Sequence, residues 1–193
     1  MVSSRLDTIE QLEITDRKKW RAWLRKNHTR SEGVWLITWK KHTDKYVPYA
    51  DTVEEALCFG WIDSITRRID DQRRMQYFCP RKPKSIWSAL NKQRIEKLIA
   101  DGSMTTAGLA RIEEAKANGS WEALVPSDAL EIPADLKKGL AKNRLARRNF
   151  NAFPPSSRKM ILYWINSART VTTRNARIER TIELAEKNIR ANQ

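Results

Sequence analysis

The segment VWLITW at residues 34–39 follows Gly33 and is short, β-branched, aromatic and apolar on both faces. Such a run reads as a strand buried in a sheet, and Lys40 and Lys41 end it. Downstream, WIDSITRRI (61–69) and RMQYFC (74–79) flank the polar tetrad Asp70–Arg73 and predict a β-hairpin. A further short strand near Tyr46–Tyr49 is limited to an edge position by Pro48.

Helical signals surround these strands. In residues 16–27, Trp20, Trp23, Leu24 and Asn27 fall at i, i+3, i+4 and i+7, with Thr15 or Asp16 as cap. Asp51, Thr52, Val53 and Glu54 open a short helix to Phe59, and Gly60 suits the left-handed position after it. The stiff basic loop Pro80–Lys84 precedes Ser85, read as the cap of a helix from Ile86 to about Ala100. Gly102 stops that helix, and another runs from about Thr106 to Asn118. Residues 1–14 read as a loosely held arm. The proline-bearing stretch 125–134 is the best linker candidate, so the expected organisation is 1–125 and 126–193. Past the linker the pattern is helical only: 134–142, 144–151, 156–168 (Met160, Ile161, Trp164 and Ala168 on one side) and 173–190 (Ile178, Ile182, Ala185 and Ile189 on one side). The expected class is α+β, a small antiparallel sheet flanked by helices and followed by an all-helical C-terminal module.

With 193 residues, 40% of them apolar, and eight Trp, the chain has enough material for a real core in one domain or two small ones. No run approaches the ~20 apolar residues that span a bilayer. The first residues lack a signal peptide's apolar stretch, so the expected compartment is the cytoplasm. Cys58 and Cys79 sit in apolar surroundings outside any CxxC pair and read as reduced, mostly buried thiols. Together with His28 and His42 they match no zinc-ligand spacing. The net charge is +14, and residues 126–193 hold 14 basic against 6 acidic residues. Such a surface attracts polyanions without choosing among them.

Several spaced motifs agree in order with a known family. LCFGWIDSITRRIDD (57–71), YFCPRKPKSIWSALNK (77–92) and the helices ending NGSW (118–121) resemble the body of the YdeI/OmpD-associated (bacteriocin-protection) family. The stretch from Phe150 to Ile189 is similar to that family's short helical module. Its Pro-Ser, Trp-Ile-x-x-Ala-Lys and Thr-Arg-x-x-Arg-Ile pattern falls on Pro155, Ser156, Trp164, Ile165, Ala168, Arg169, Thr173, Arg174, Arg177 and Ile178. Arg169 keeps the charge of the usual lysine but not its amine. The resemblance implies a link to bacteriocin tolerance and a porin, and it supplies no catalytic residues.

Four constellations carry chemistry. Trp61, Asp63 and Ile65 alternate onto one strand face, so Asp63 is expected between large apolar groups, held structurally or serving as a pocket acid. Arg81, Lys82, Lys84, Ser85 and Ser88 surround an expected helix start and suit a phosphate or carboxylate; the plain alternative is a cap with solvated cations. Arg67, Arg68, Arg73 and Arg74, beside Tyr77 and Phe78, suit single-stranded nucleic acid or form a solvated hairpin face. Arg169, Arg174, Arg177 and Arg180 can follow a phosphate backbone, or pair with Glu179, Glu183 and Glu186.

No Ser-His-Asp set, GxSxG elbow, HExxH, EF-hand or dinucleotide fingerprint is present, and with two histidines acid–base catalysis has few candidates. The leading expectation is a non-catalytic binding or stress-tolerance protein for an anionic ligand or partner. Its pocket would be drawn from Trp61, Asp63, Tyr77, Arg81, Lys84, Ser85, Trp87, Ser88 and Asn91. The alternatives are a nucleic-acid binder using Arg67, Arg68, Arg73, Arg74, Arg174, Arg177 and Arg180, and an enzyme on a small phosphorylated or carboxylated substrate.

Overall fold

The computed structural model describes residues 5–192. The chain divides into two compact units, with the division in sequence between Glu122 and Ala123.

The first unit is built on a four-stranded sheet in the order β1 (Gln11–Glu13), β2 (Val34–Trp39), β4 (Arg73–Pro80), β3 (Trp61–Arg68). β2, β4 and β3 are antiparallel, whereas β1 joins β2 in parallel. The expected α+β class holds, with a parallel edge strand added. That edge comes from the segment read as a loose arm: a 3-10 turn (Arg5–Thr8) leads into β1, and Ile14 is fully buried. Residues 1–4 of that segment lie outside the described residues. Near Tyr46 the expected strand reduces to a single bridge to Trp39, because the chain enters a helix at Tyr49.

Four helices belong to this unit: α1 (Arg17–Asn27), α2 (Tyr49–Cys58), α3 (Ala89–Ala100) and α4 (Thr106–Ala117). Asp16 caps α1 by accepting from Lys19 N at 2.8 Å. Trp20 and Leu24 turn inward against Val34, Leu36, Phe78 and Trp61. Burying a side chain of this size contributes roughly 1.5–3 kcal/mol. Between α1 and α2 the buried Glu55 accepts from Arg17 Nε at 2.6 Å and Arg21 Nη1 at 2.7 Å. Gly60, at φ +75°, takes the left-handed position expected of it and turns the chain from α2 into β3.

The second unit is helical: α5 (Val125–Asp128), α6 (Ala134–Ala141), α7 (Arg144–Ala152), α8 (Pro155–Asn166) and α9 (Val171–Glu186). The expected linker is therefore partly structured. Pro126 lies in the first turn of α5, where its missing N–H costs nothing. The core gathers Leu136, Leu140, Phe150, Phe153, Ile161, Leu162, Ile165 and Ile178. In α8 the buried stripe is Ser157, Ile161, Leu162 and Ile165, and Met160 is 52% exposed, so the inward face is rotated from the one read off the sequence. α9 ends at Glu186, which leaves Ile189 half exposed.

One packing contact is severe enough to test. A Cβ on Gly108 of α4 would stand 2.4 Å from Cys58 O, a backbone atom that ends α2. Alanine favours helix by roughly 1 kcal/mol over glycine, but here the clash forces backbone apart at a cost of about 1–3 kcal/mol. Gly108→Ala is expected to lower the urea midpoint. An unchanged or raised midpoint would show that α4 is free to shift.

Candidate functional site

The polar residues of the sheet's helix-covered face form a short ladder. Opposite β4, the register of β3 slips between Asp63 and Thr66. This bulge takes Ile65 off the face it was expected to share with Trp61 and Asp63, leaving it 47% exposed. Asp63 therefore does not lie between two apolar groups. Its Oδ2 accepts from Tyr49 Oη at 2.5 Å and from Gln76 Nε2 at 3.5 Å. Gln76 also donates to Ser64 O at 2.9 Å and accepts from Thr66 Oγ1. Trp61 is fully buried, and its Nε1 donates to His28 O at 2.9 Å.

Beside this ladder lies a buried cation. Arg81 N donates to Gly60 O at 3.0 Å, fixing the residue one step past the hairpin. Its side chain is 4% exposed, with the guanidinium carbon 3.5 Å from the centre of the Trp87 ring. Trp87 in turn packs on Trp121 at 5.1 Å. Nη1 donates to Ile86 O at 3.0 Å, while Nε is buried without an acceptor among the described residues. Among the described residues no carboxylate forms an ion pair with Arg81, and burial pulls the guanidinium down to about 10, against the opposing field of Asp63.

The remaining members arrange themselves around this pair. α3 starts at Ala89 with Ser88 as its cap, so Ser85 does not cap it; Ser85 N instead closes a turn on Lys82 O at 2.9 Å. The orphan donors of the helix start thus sit three residues later than expected. Lys82 and Lys84 are exposed. Asn91 accepts from Arg94 Nη1 at 2.9 Å. Tyr77 leaves the group, because strand alternation sends it to the opposite sheet face, against Trp35 at 5.4 Å. Tyr49 and Arg94 were missed, whereas Arg74, named for a nucleic-acid surface, has its guanidinium carbon 5.9 Å from the centre of the Tyr49 ring. No local motif marks Tyr49, which the chain brings to Asp63 by folding α2 over β3.

The hairpin arginines proposed for nucleic acid do not lie on one face of the sheet. Alternation places Arg67 and Arg73 on one side of the hairpin, and Arg68 and Arg74 on the other. Arg73 pairs with Asp70 at 2.9 Å and Glu13 at 3.3 Å, Arg68 pairs with Asp71, and Arg67 stacks over Trp35 at 4.8 Å. In the second unit Arg174 forks onto Asp135 at 2.5 and 3.0 Å. Arg177 donates to Trp164 O and to Ser167 Oγ, and Arg180 pairs with Glu183 at 3.4 Å.

What the geometry defines is an α+β protein whose first unit buries an under-coordinated arginine beside a tyrosine–carboxylate pair. The chain belongs to the family described as Domain of unknown function (DUF8412), whose model matches residues 12–111. Residues 129–188 match the family described as Bacteriocin-protection, YdeI or OmpD-Associated, so the resemblance read from the sequence holds for the helical unit. No curated protein and no solved structure matches the chain. Among the described residues no helix is long and apolar enough to cross a membrane.

The Tyr49–Asp63 pair yields a pH test. Burial first, then the bond to Asp63, push the Tyr49 phenol up to about 12, with Arg94 and Arg74 opposing. A raised folded value means that its stabilising contribution is complete below pH ~10, the unfolded value. That contribution is lost as pH rises from there through 12. In an ultraviolet titration of the four tyrosines, one is expected to ionise last, and Tyr49→Phe should remove that final step. A final step that survives the substitution would contradict the pairing.

Proposed function

We propose that the protein is a non-catalytic binder of an anionic ligand or partner, acting in a tolerance or stress response in the cytoplasm. The bacteriocin-protection family matched by its helical unit supports the role, and two unpaired thiols suit a reducing compartment. Arg81 carries the reading. A guanidinium 4% exposed, with Nε lacking an acceptor and no ion-paired carboxylate, keeps hydrogen-bonding capacity for an oxyanion. Folding leaves few buried polar groups in that condition without a functional reason. Arg94 and Arg74 add positive charge near Tyr49. The carboxylate of Asp63 is already engaged by Tyr49 and Gln76, which makes it a fixed acceptor more suited to orienting a ligand than to shuttling a proton. The hairpin arginines, split between faces and mostly paired, favour this reading over nucleic-acid binding by the sheet.

Arg81→Met separates a binding role from a structural one. Methionine keeps apolar bulk over Trp87, and replacing a buried charge by a packed apolar side chain is often neutral or stabilising. Without ligand, the variant is expected to unfold within about 1 kcal/mol of the parent or above it. Inorganic phosphate or succinate at millimolar concentration should raise the parent's Tm by a few degrees and leave the variant's unchanged. A variant that loses several kcal/mol, with a parent unresponsive to both anions, would make Arg81 a structural residue.

A further inference from the structure

The second unit holds its basic residues in two different conditions. Lys159, Arg174 and Arg180 are ion-paired, and Arg177 lies over Trp164 at 5.1 Å while bonded to backbone and hydroxyl acceptors. On α7 the condition is reversed. Arg144, Arg147 and Arg148 are exposed, and none forms an ion pair among the described residues. Their i, i+3, i+4 spacing gathers them on one face, opposite the buried Ala146 and Phe150. With Leu145 and Asn151 they line a cavity of about 480 Å³ that has no carboxylate among its described lining residues. A second cavity of about 360 Å³ shares Arg147 and Asn151 and is closed by Lys137 and Leu140 of α6 and by Ile132. Together the two make a basic groove running from α7 to α6.

The local fold explains why this face stays open. α6 and α7 are joined by Lys142 and Asn143 alone, and Asn143 caps α7 by accepting from Ala146 N at 3.0 Å. On α6, Gly139 lets α9 approach until a Cβ there would stand 2.5 Å from Ile182 Cδ1. The inner sides of α6 and α7 are thus spent on the core, and the arginine side is left to solvent. Asp135, which stands on α6, is already bound by Arg174.

We propose that the groove over α7 and α6 binds nucleic acid through its phosphates. Three arginines and a lysine without counter-charge, strung along two adjoining cavities, fit a repeating polyanion better than one isolated phosphate. Contacts of this kind hold the backbone without reading sequence. Exposed Arg and Asn side chains on the same helix are the types that can also reach base edges. The site is in the other unit from Arg81 and does not depend on it.

The test is fluorescence anisotropy of the full-length protein with a labelled mixed-sequence DNA duplex from 50 to 200 mM salt. Arg144→Gln/Arg147→Gln/Arg148→Gln is compared with Lys138→Gln/Lys187→Gln/Arg190→Gln, which removes equal charge from exposed positions of the unit that line neither cavity. The parent should bind with a steep salt slope. Removing three phosphate contacts should flatten that slope by about 2.7, at ~0.9 per contact, and weaken binding at least tenfold at 100 mM. The control triple should keep the parent's slope, and Arg81→Met should bind like the parent. Three results would overturn the proposal: no binding by the parent at 50 mM, a triple variant with parental slope, or a control that loses as much, which would leave net charge alone as the cause.

Discussion

An indole buried in a protein must find an acceptor for its one N–H, and that constraint organises the first unit. Trp20 donates to Thr52 O at 2.9 Å and ties α1 to α2. Trp61 donates to His28 O at 2.9 Å and ties β3 to the end of α1. Trp35 donates to Leu6 O at 2.8 Å and draws the N-terminal segment onto β2. The rings also pack on one another, with Trp20 5.3 Å from Trp23 and 5.2 Å from Phe78. Each of these three tryptophans therefore contributes apolar burial and one directed bond, and the directed bonds draw those segments together.

The arginines show how differently one side chain is used. Arg17 and Arg21 clamp the buried Glu55, and Arg174 forks onto Asp135; these staple helices together and leave little free valence. Arg81 is buried without such a partner, an arrangement that costs stability and yet persists. Arg144, Arg147 and Arg148 pay no desolvation and have no counter-charge among the described residues. Net charge alone ranks these equally. Partners and burial separate them into fastenings, a buried donor without an acceptor among the described residues, and an exposed face without ion pairs there.

Much of the architecture was legible because its signals are local. The strand at 34–39, the hairpin, the turn at Gly60 and the helical C-terminal half follow from alternation, helical periodicity and punctuation. What was not legible depends on distant pairing. The N-terminal segment gives no sign that it supplies an acceptor to Trp35, so it read as an arm. The bulge after Asp63 depends on β4 and moved Ile65 off the expected face. The helix start near Ser85 was misplaced by three residues, since both Ser85 and Ser88 are plausible caps in a proline-containing loop. Within the site, Trp61, Asp63, Arg81, Trp87 and Asn91 were named from the sequence, whereas Tyr49 reaches Asp63 by tertiary folding alone. The α7 arginines carry a readable signal in their i, i+3, i+4 spacing opposite Ala146 and Phe150.

Arg81 buries an Nε–H without an acceptor among the described residues, and that group reports directly on whether an anion reaches it. In a nitrogen-15 spectrum of the arginine Nε–H groups, the resonance missing from Arg81→Met assigns the group. That resonance is expected to shift saturably as inorganic phosphate or succinate is added, ahead of the surface arginines. A resonance that stays fixed with both anions up to tens of millimolar, while surface arginines respond, would contradict it.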